Sequence, residues 1–321
     1  TINKTYKTIY NAVSGTWAAV SELAKSQGKN TTRAAAALVL LAVSPAWGAQ
    51  NTGTTTSGGN TVSAGADYKS CYFDDNSKNV VCGDATTTAA DVVGPKPGKS
   101  VAIGLSAKTA GESNVALGAN SSASNTSGLA IGAESKAHHN QTVAIGERAN
   151  ALGEADVAIG KAAGESANST GRNIAVGEGA LKNAAAANNV IGIGTGAAQN
   201  INGQHVIAIG TEANQGVSGV NQVVAIGYKS SAVTSQSVAV GTAASAKGIG
   251  ALALGNSSNA ITESSVAVGR FAQASGPNSI AVGGGRSAAQ SAQAGGNYSI
   301  AVGAGAETTS AQSIAMGWNA G

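Results

Sequence analysis

The residues that could do chemistry are few, and their spacing does not suit it. Cys71 and Cys82 are the two cysteines, and they flank Tyr72-Phe73-Asp74-Asp75-Asn76, a turn-like run between short apolar stretches. A metal site needs more than two thiolates and no histidine lies nearby. In an exported chain the pair is expected as a disulfide pinning a small hairpin or loop, with two free thiols as the alternative. His138 and His139 adjoin Asn140 in a turn-like stretch and His205 stands alone, so exposure is expected rather than zinc. Acidic residues are scattered, with no recurring pair for general acid and base work. No catalytic, metal or cofactor site is expected, and the ligand-binding residues are not legible.

Other familiar sites fail for similar reasons. Gly192-Ile193-Gly194-Thr195-Gly196 looks like a phosphate loop, but no helix follows it. Calcium-binding repeats need recurrent Asp, and residues 100–321 contain only Asp156. The aromatics there, Tyr228, Phe271, Tyr298 and Trp318, are isolated, which leaves no stacking platform for bases or sugars. Residues 1–49 hold five basic residues and one acidic one, so the formal +3 of the chain becomes −1 over residues 50–321. Without a basic body, nucleic acid is not an expected partner.

What organises the chain is a repeated strand. Ser100-Val101-Ala102-Ile103-Gly104 recurs with its glycine at 104, 118, 132, 146, 160, 177, 194, 210, 227, 241, 255, 269, 283, 303 and 317. The steps are 14 residues four times, then 17, 17, 16 and 17, then 14 four times, then 20 and 14. Such a period implies one supersecondary unit stacked many times. The alternation of Val101 with Ile103, Val115 with Leu117, Val143 with Ile145, Val157 with Ile159, Val238 with Val240 and Val266 with Val268 is a strand signal.

Fourteen residues trace roughly 46 Å, enough for two short strands and two turns, and fifteen rungs about 4.8 Å apart make a rod on the order of 70 Å long. Gly104, Gly118, Gly132, Gly146, Gly160, Gly241, Gly255 and Gly269 are expected at the turns. The branched aliphatics are expected to form the buried core of each rung. The opposite face, almost all Ala and Gly, is expected to lie between copies of the chain, with Ala144 and Ala158 at that contact. The extra residues of the longer rungs, around 161–172, 181–189, 199–205, 215–221 and 284–297, are expected to bulge outward as surface loops. Such loops either bind a ligand or are insertions that the scaffold tolerates.

Residues 1–49 read as an export segment. Lys4, Lys7, Lys25, Lys29 and Arg33 precede the apolar run Ala34–Val43 and then Ser44-Pro45-Ala46-Trp47-Gly48-Ala49. That run is too short to span a bilayer and suits a signal peptide cut after Gly48 or Ala49. Residues 50–99 are expected as a flexible lead-in at 50–66, the cysteine pair, and a linker with Pro95 and Pro97 that caps the first rung.

Two features carry a family resemblance. The units Ser-Val-Ala-Ile-Gly, Ser-Val-Ala-Val-Gly and Ser-Ile-Ala-Val-Gly at a 14-residue step over 100–321 resemble the head repeats of YadA-type trimeric autotransporter adhesins. The long leader, with Asn3-Lys4-x-Tyr6-Lys7-x-Ile9-Tyr10-Asn11 and then Trp17–Lys25, resembles the extended signal peptide region of the same proteins. The resemblance implies an all-β, left-handed parallel β-roll forming a homotrimer. It also implies export through the inner membrane and display on the Gram-negative cell surface, with membrane anchoring only through a C-terminal region beyond Gly321. The implied partners are host extracellular-matrix proteins or cell-surface receptors, and the implied function is adhesion. The alternative is a spacer segment of a surface fibre that binds nothing itself.

Overall fold

The structure, a computed structural model, describes residues 6–11, 16–21, 70–74, 78–83, 88–90, 98–167 and 169–321. The apolar run 34–43, the cleavage region at 48–49, the lead-in 50–66 and Pro95 and Pro97 lie outside the described residues. The chain divides into two compact units, Thr1–Trp47 and Gly48–Gly321. In the first, Tyr6–Asn11 and Thr16–Ser21 pair antiparallel, with Tyr6 opposite Ser21 and Asn11 opposite Thr16.

The second unit is a parallel β-solenoid. Its main ladder starts at Asn79–Gly83 and passes through Val101–Ile103, Val115–Leu117, Leu129–Ile131 and Val143–Ile145. It continues rung by rung to Ile314–Met316. Pairing follows the repeat alignment, so that Val101, Ala102 and Ile103 face Val115, Ala116 and Leu117. A second sheet forms on the return half of each rung, first from Thr88–Ala90 to Asn150–Ala151 and later from Ser231–Ala232 to Glu307–Thr308. Between these segments Asn202–Ile209 and Ser218–Ile226 run unbroken through both ladders.

The glycine that ends each main strand is there for two reasons. Gly104 has φ +130°, and a Cβ on it would lie 2.6 Å from the Gly118 carbonyl oxygen, so stacking rungs this closely excludes any side chain. The turn that follows closes with Ala107 N–H donating to the Gly104 carbonyl, at 3.2 Å. Two residues past the glycine the chain is again left-handed, at Ser106, Asn120, Glu134 and Arg148, yet side chains are accommodated there.

Burial overturns the expected core. Val101, Ile103, Val115, Val143, Ile145, Val157, Val238, Val240, Val266 and Val268 are only half-buried, and Leu117 and Ile159 are exposed. The interior is the alanine between them. Ala102, Ala116, Ala130, Ala144, Ala239, Ala253 and Ala267 are fully buried, as are Ala137, Ala151, Ala232, Ala246 and Ala260 of the second sheet. Sheets stacked on larger side chains sit about 10 Å apart. A 14-residue rung closes on itself with less room, and methyl groups fill what is left. Strand alternation fixes which residues share a face but not which face is inside. Ala144 and Ala158 therefore lie within the roll and not at a contact between chains.

The long rungs differ. Their corners widen the interior, and Leu181, Val190, Ile201, Val206, Val220 and Val223 are buried in it. The insertions around 181–189, 199–205 and 215–221 thus contribute core as well as surface. Of the segment 284–297, residues 284–290 project, with a 3₁₀ turn at Ala288–Gln290 that buries none of its residues, while Ser291, Ala292 and Ala294 are buried in the roll.

Candidate functional site

Three surfaces of the roll could carry function. The first is the outer side of the main ladder, where alternation aims two parallel columns of branched aliphatics away from the interior. Leu117 (41% exposed), Ile193 (38%) and Leu254 (42%) belong to one column, with Val115, Ile191 and Leu252 beside them, half-buried, in the other. A soluble monomer rarely exposes so long an apolar strip, and such strips mark interaction surfaces.

The second is the cap. Cys71 and Cys82 face each other across the antiparallel pair Ser70–Asp74 and Asn79–Gly83 and are joined as a disulfide. Asn79–Gly83 then pairs parallel with Val101–Ile103, which covers the edge that the first rung would otherwise expose. Ser100 N–H donates to Asn79 Oδ1 at 2.7 Å, locking cap to roll.

The third is the corner of the long rungs, where charged side chains stack. Lys182 Nζ lies 2.6 Å from Glu165 Oε2, with Arg148 3.7 Å from the other carboxylate oxygen. The Lys182 hydrogen bond is the largest influence holding the Glu165 carboxyl below its usual range. Lys229 pairs with Glu212 at 3.4 Å. Arg148, Lys182 and Glu212 edge a cavity of about 360 Å³ that also touches Lys161, Glu178 and Thr195.

Buried polar residues fix the rungs at points the repeat pattern did not flag. Asp156 occupies the column that Ser100 starts, where the period changes from 14 to 17 residues. Its carboxylate accepts from Gly153 N–H at 2.8 Å, Ser169 Oγ at 2.6 Å and Asn173 N–H at 2.9 Å. Asn173 passes the connection on by accepting from Val190 N–H at 2.9 Å. The available signal was the one acid in a column otherwise holding Ser, Thr, Asn, Gly, Ala or Val. His138 is half-buried, its Nε2 3.0 Å from Ser122 Oγ, and its pKa is lowered by burial and then by Lys136. His139 and His205 are exposed. Among the described residues no three His, Cys, Asp or Glu side chains group as metal ligands.

Residues 3–49 match the family described as the extended signal peptide of the type V secretion system. The YadA head domain repeat matches at 99–121, 115–135, 123–146, 140–163, 224–244, 246–272, 263–285 and 294–320. The chain belongs to the trimeric autotransporter adhesins. No curated protein matches it. As an autotransporter adhesin it carries the leader of type V secretion and a head built of YadA-type rungs. The head-repeat matches skip 164–223, the segment that holds most of the long rungs and part of their charged corner.

Proposed function

We propose that this chain is the head of a surface adhesin, in which three copies pack through the aliphatic face and present their corners to host cells, extracellular matrix or other surfaces. The observation that carries this reading is the unpaired double column of Val, Ile and Leu along the ladder, set on a chain with a type V leader. At roughly 25 cal/mol per Å², covering the columns on every rung offers a large driving force for assembly. The roll's own interior, almost all methyl groups, is thin by comparison. The outer membrane of a Gram-negative bacterium is the surface such a leader serves, and the role is one of binding rather than catalysis.

Cells expressing the chain would be tested on collagen, fibronectin, laminin and epithelial cells against cells lacking it. Binding to at least one of them is expected. Failure on every surface, with the chain demonstrably displayed, would leave only the spacer reading.

A further inference from the structure

The charged corner of the long rungs is a built groove. Backbone hydrogen bonds continue through the corners, from Gly179 N–H to the Lys161 carbonyl, Gly196 to Glu178 and Glu212 to Thr195, at 2.8–2.9 Å. They stack Ala162, Gly179, Gly196 and Glu212 in one column. A second set, from Asn183 N–H to the Glu165 carbonyl, Asn200 to Lys182 and Gly216 to Gln199, stacks Glu165, Lys182, Gln199 and Gln215 in another, again at 2.8–2.9 Å.

Between Ala162 and Glu212 the first column is empty, because glycine stands at both intervening places. A Cβ on Gly179 would meet nothing within 4 Å, and one on Gly196 would meet the ends of Gln199 and Gln215 and, at 3.8 Å, Glu212 Cγ. Backbone conformation does not demand glycine there, since Ala162 and Glu212 adopt φ +56° in the same column and Gly179 and Gly196 have +63°. The glycines instead leave a trough about 14 Å long, three rungs at the usual strand spacing.

The chemistry of the trough is graded. Arg148, Lys161 and Lys182 crowd one end, and Lys161 makes no ion pair among the described residues. The other end offers Thr195 and Gln215, whose Nε2 donates to Gln199 Oε1 at 2.6 Å, and closes on Glu212. No aromatic or branched aliphatic side chain lines it.

We propose that this trough binds a carboxylate-bearing saccharide, with the carboxylate against Lys161 and Arg148 and the ring hydroxyls on Thr195, Gln199, Gln215 and the Glu178 and Glu212 carboxylates. Hydroxyls both donate and accept, so they satisfy amides and carboxylates together. A neutral sugar leaves Lys161 unanswered, and a dense polyanion meets Glu178 and Glu212. The proposal rests on the adhesive reading and narrows it to one ligand class and one place on the head, where the lining from Glu178 to Gln215 lies between head-repeat matches and Arg148 and Lys161 lie within one.

The test titrates the purified full chain with 3′-sialyllactose, an unsulfated glucuronate disaccharide, and lactose as the neutral control. At least one acidic sugar should bind tenfold or more tighter than lactose, and which one does so separates a sialic from a uronic source. Filling the trough with Gly179→Gln and Gly196→Gln should cost at least tenfold. Lys161→Gln alone, which disturbs no packing, should erase the preference for the acidic sugar while leaving weak binding of both. Equal binding of acidic and neutral sugars, no binding of any, or unchanged binding by the filled variant would each overturn the assignment. Adhesion to sialidase-treated or uronate-lyase-treated epithelial cells separates the two levels. Adhesion that survives both treatments sinks the trough and spares the adhesin, whereas no adhesion to untreated cells or to any of the matrix proteins sinks both.

Discussion

Substituting neighbours on one strand distinguishes the inside of the roll from its outside. Ala144 is fully buried, stacked between Ala130 and Ala158, while Ile145 beside it is half-exposed and stacked between Ile131 and Ile159. Ala144→Leu forces three extra carbons into a space lined by methyl groups. Overpacking of that kind costs about 1–3 kcal/mol per chain, and here the figure should sit at or above the upper end because both stacked neighbours are backbone-fixed alanines. Ile145→Ala removes no interior contact and should barely change the stability of an isolated roll. In an assembly that covers the aliphatic columns it should cost up to about 3 kcal/mol per chain, expressed as weaker association. Denaturant unfolding reports the first effect and light scattering across a dilution series reports the second. The orientation would be refuted if Ala144→Leu left the unfolding midpoint alone but broke the assembly, with Ile145→Ala doing the converse, since that is what an alanine face between chains would give.

Gly146→Ala should destabilise by several times more than Gly179→Ala: at φ +131° a Cβ on Gly146 would lie 2.5 Å from the Gly160 carbonyl oxygen, whereas at Gly179 only the left-handed backbone cost of about 1–2 kcal/mol applies. Paired Cys71→Ser and Cys82→Ser should cost about 2–4 kcal/mol and raise amide exchange at Val101–Ile103 while sparing distant rungs such as Val266–Val268, because a solenoid couples mainly between neighbours. For His138, whose folded pKa is lowered, the contribution to stability is complete above the unfolded pKa near 6.5 and is lost as pH falls through the folded value. Thermal unfolding from pH 8 to 5 should show a decline that His138→Gln reduces, and identical pH profiles would refute the burial of its neutral form. Glu165 follows the same sign in the acid range, where protonation forfeits its pairing with Lys182, and Lys182→Met should flatten that part of the profile.

Much of the architecture was legible because a stacked fold repeats its own constraints. The glycine at 104 and its successors through Gly303 mark the corners where neighbouring rungs meet backbone to backbone, and no other residue fits there. Register followed from the same alignment, since Val101 faces Val115 as the repeat places it. The polarity of the sheet was not legible. Large apolar residues are usually inside, but a rung closed in 14 residues has an interior too narrow for Val and Ile, and width is a property of the closed rung that no single strand displays.

The candidate site was legible only in outline, and the reason is physical. Insertion at Lys161, Leu181, Gln199 and Gln215 announced longer corners, but length alone does not say that Leu181 and Ile201 turn inward to fill a wider core while Lys161 and Gln215 stay outside. Asp156 serves the column as its uncharged members do on regular rungs, where Ser100 Oγ accepts from Asn114 N–H and Asn114 Oδ1 from Gly128 N–H. At the change of period one carboxylate collects both Gly153 N–H and Asn173 N–H. A head made only of 14-residue rungs would be a featureless rod. The change of period gives this one a broader waist with its own hydrophobic core, and on that waist two glycines clear a charged trough.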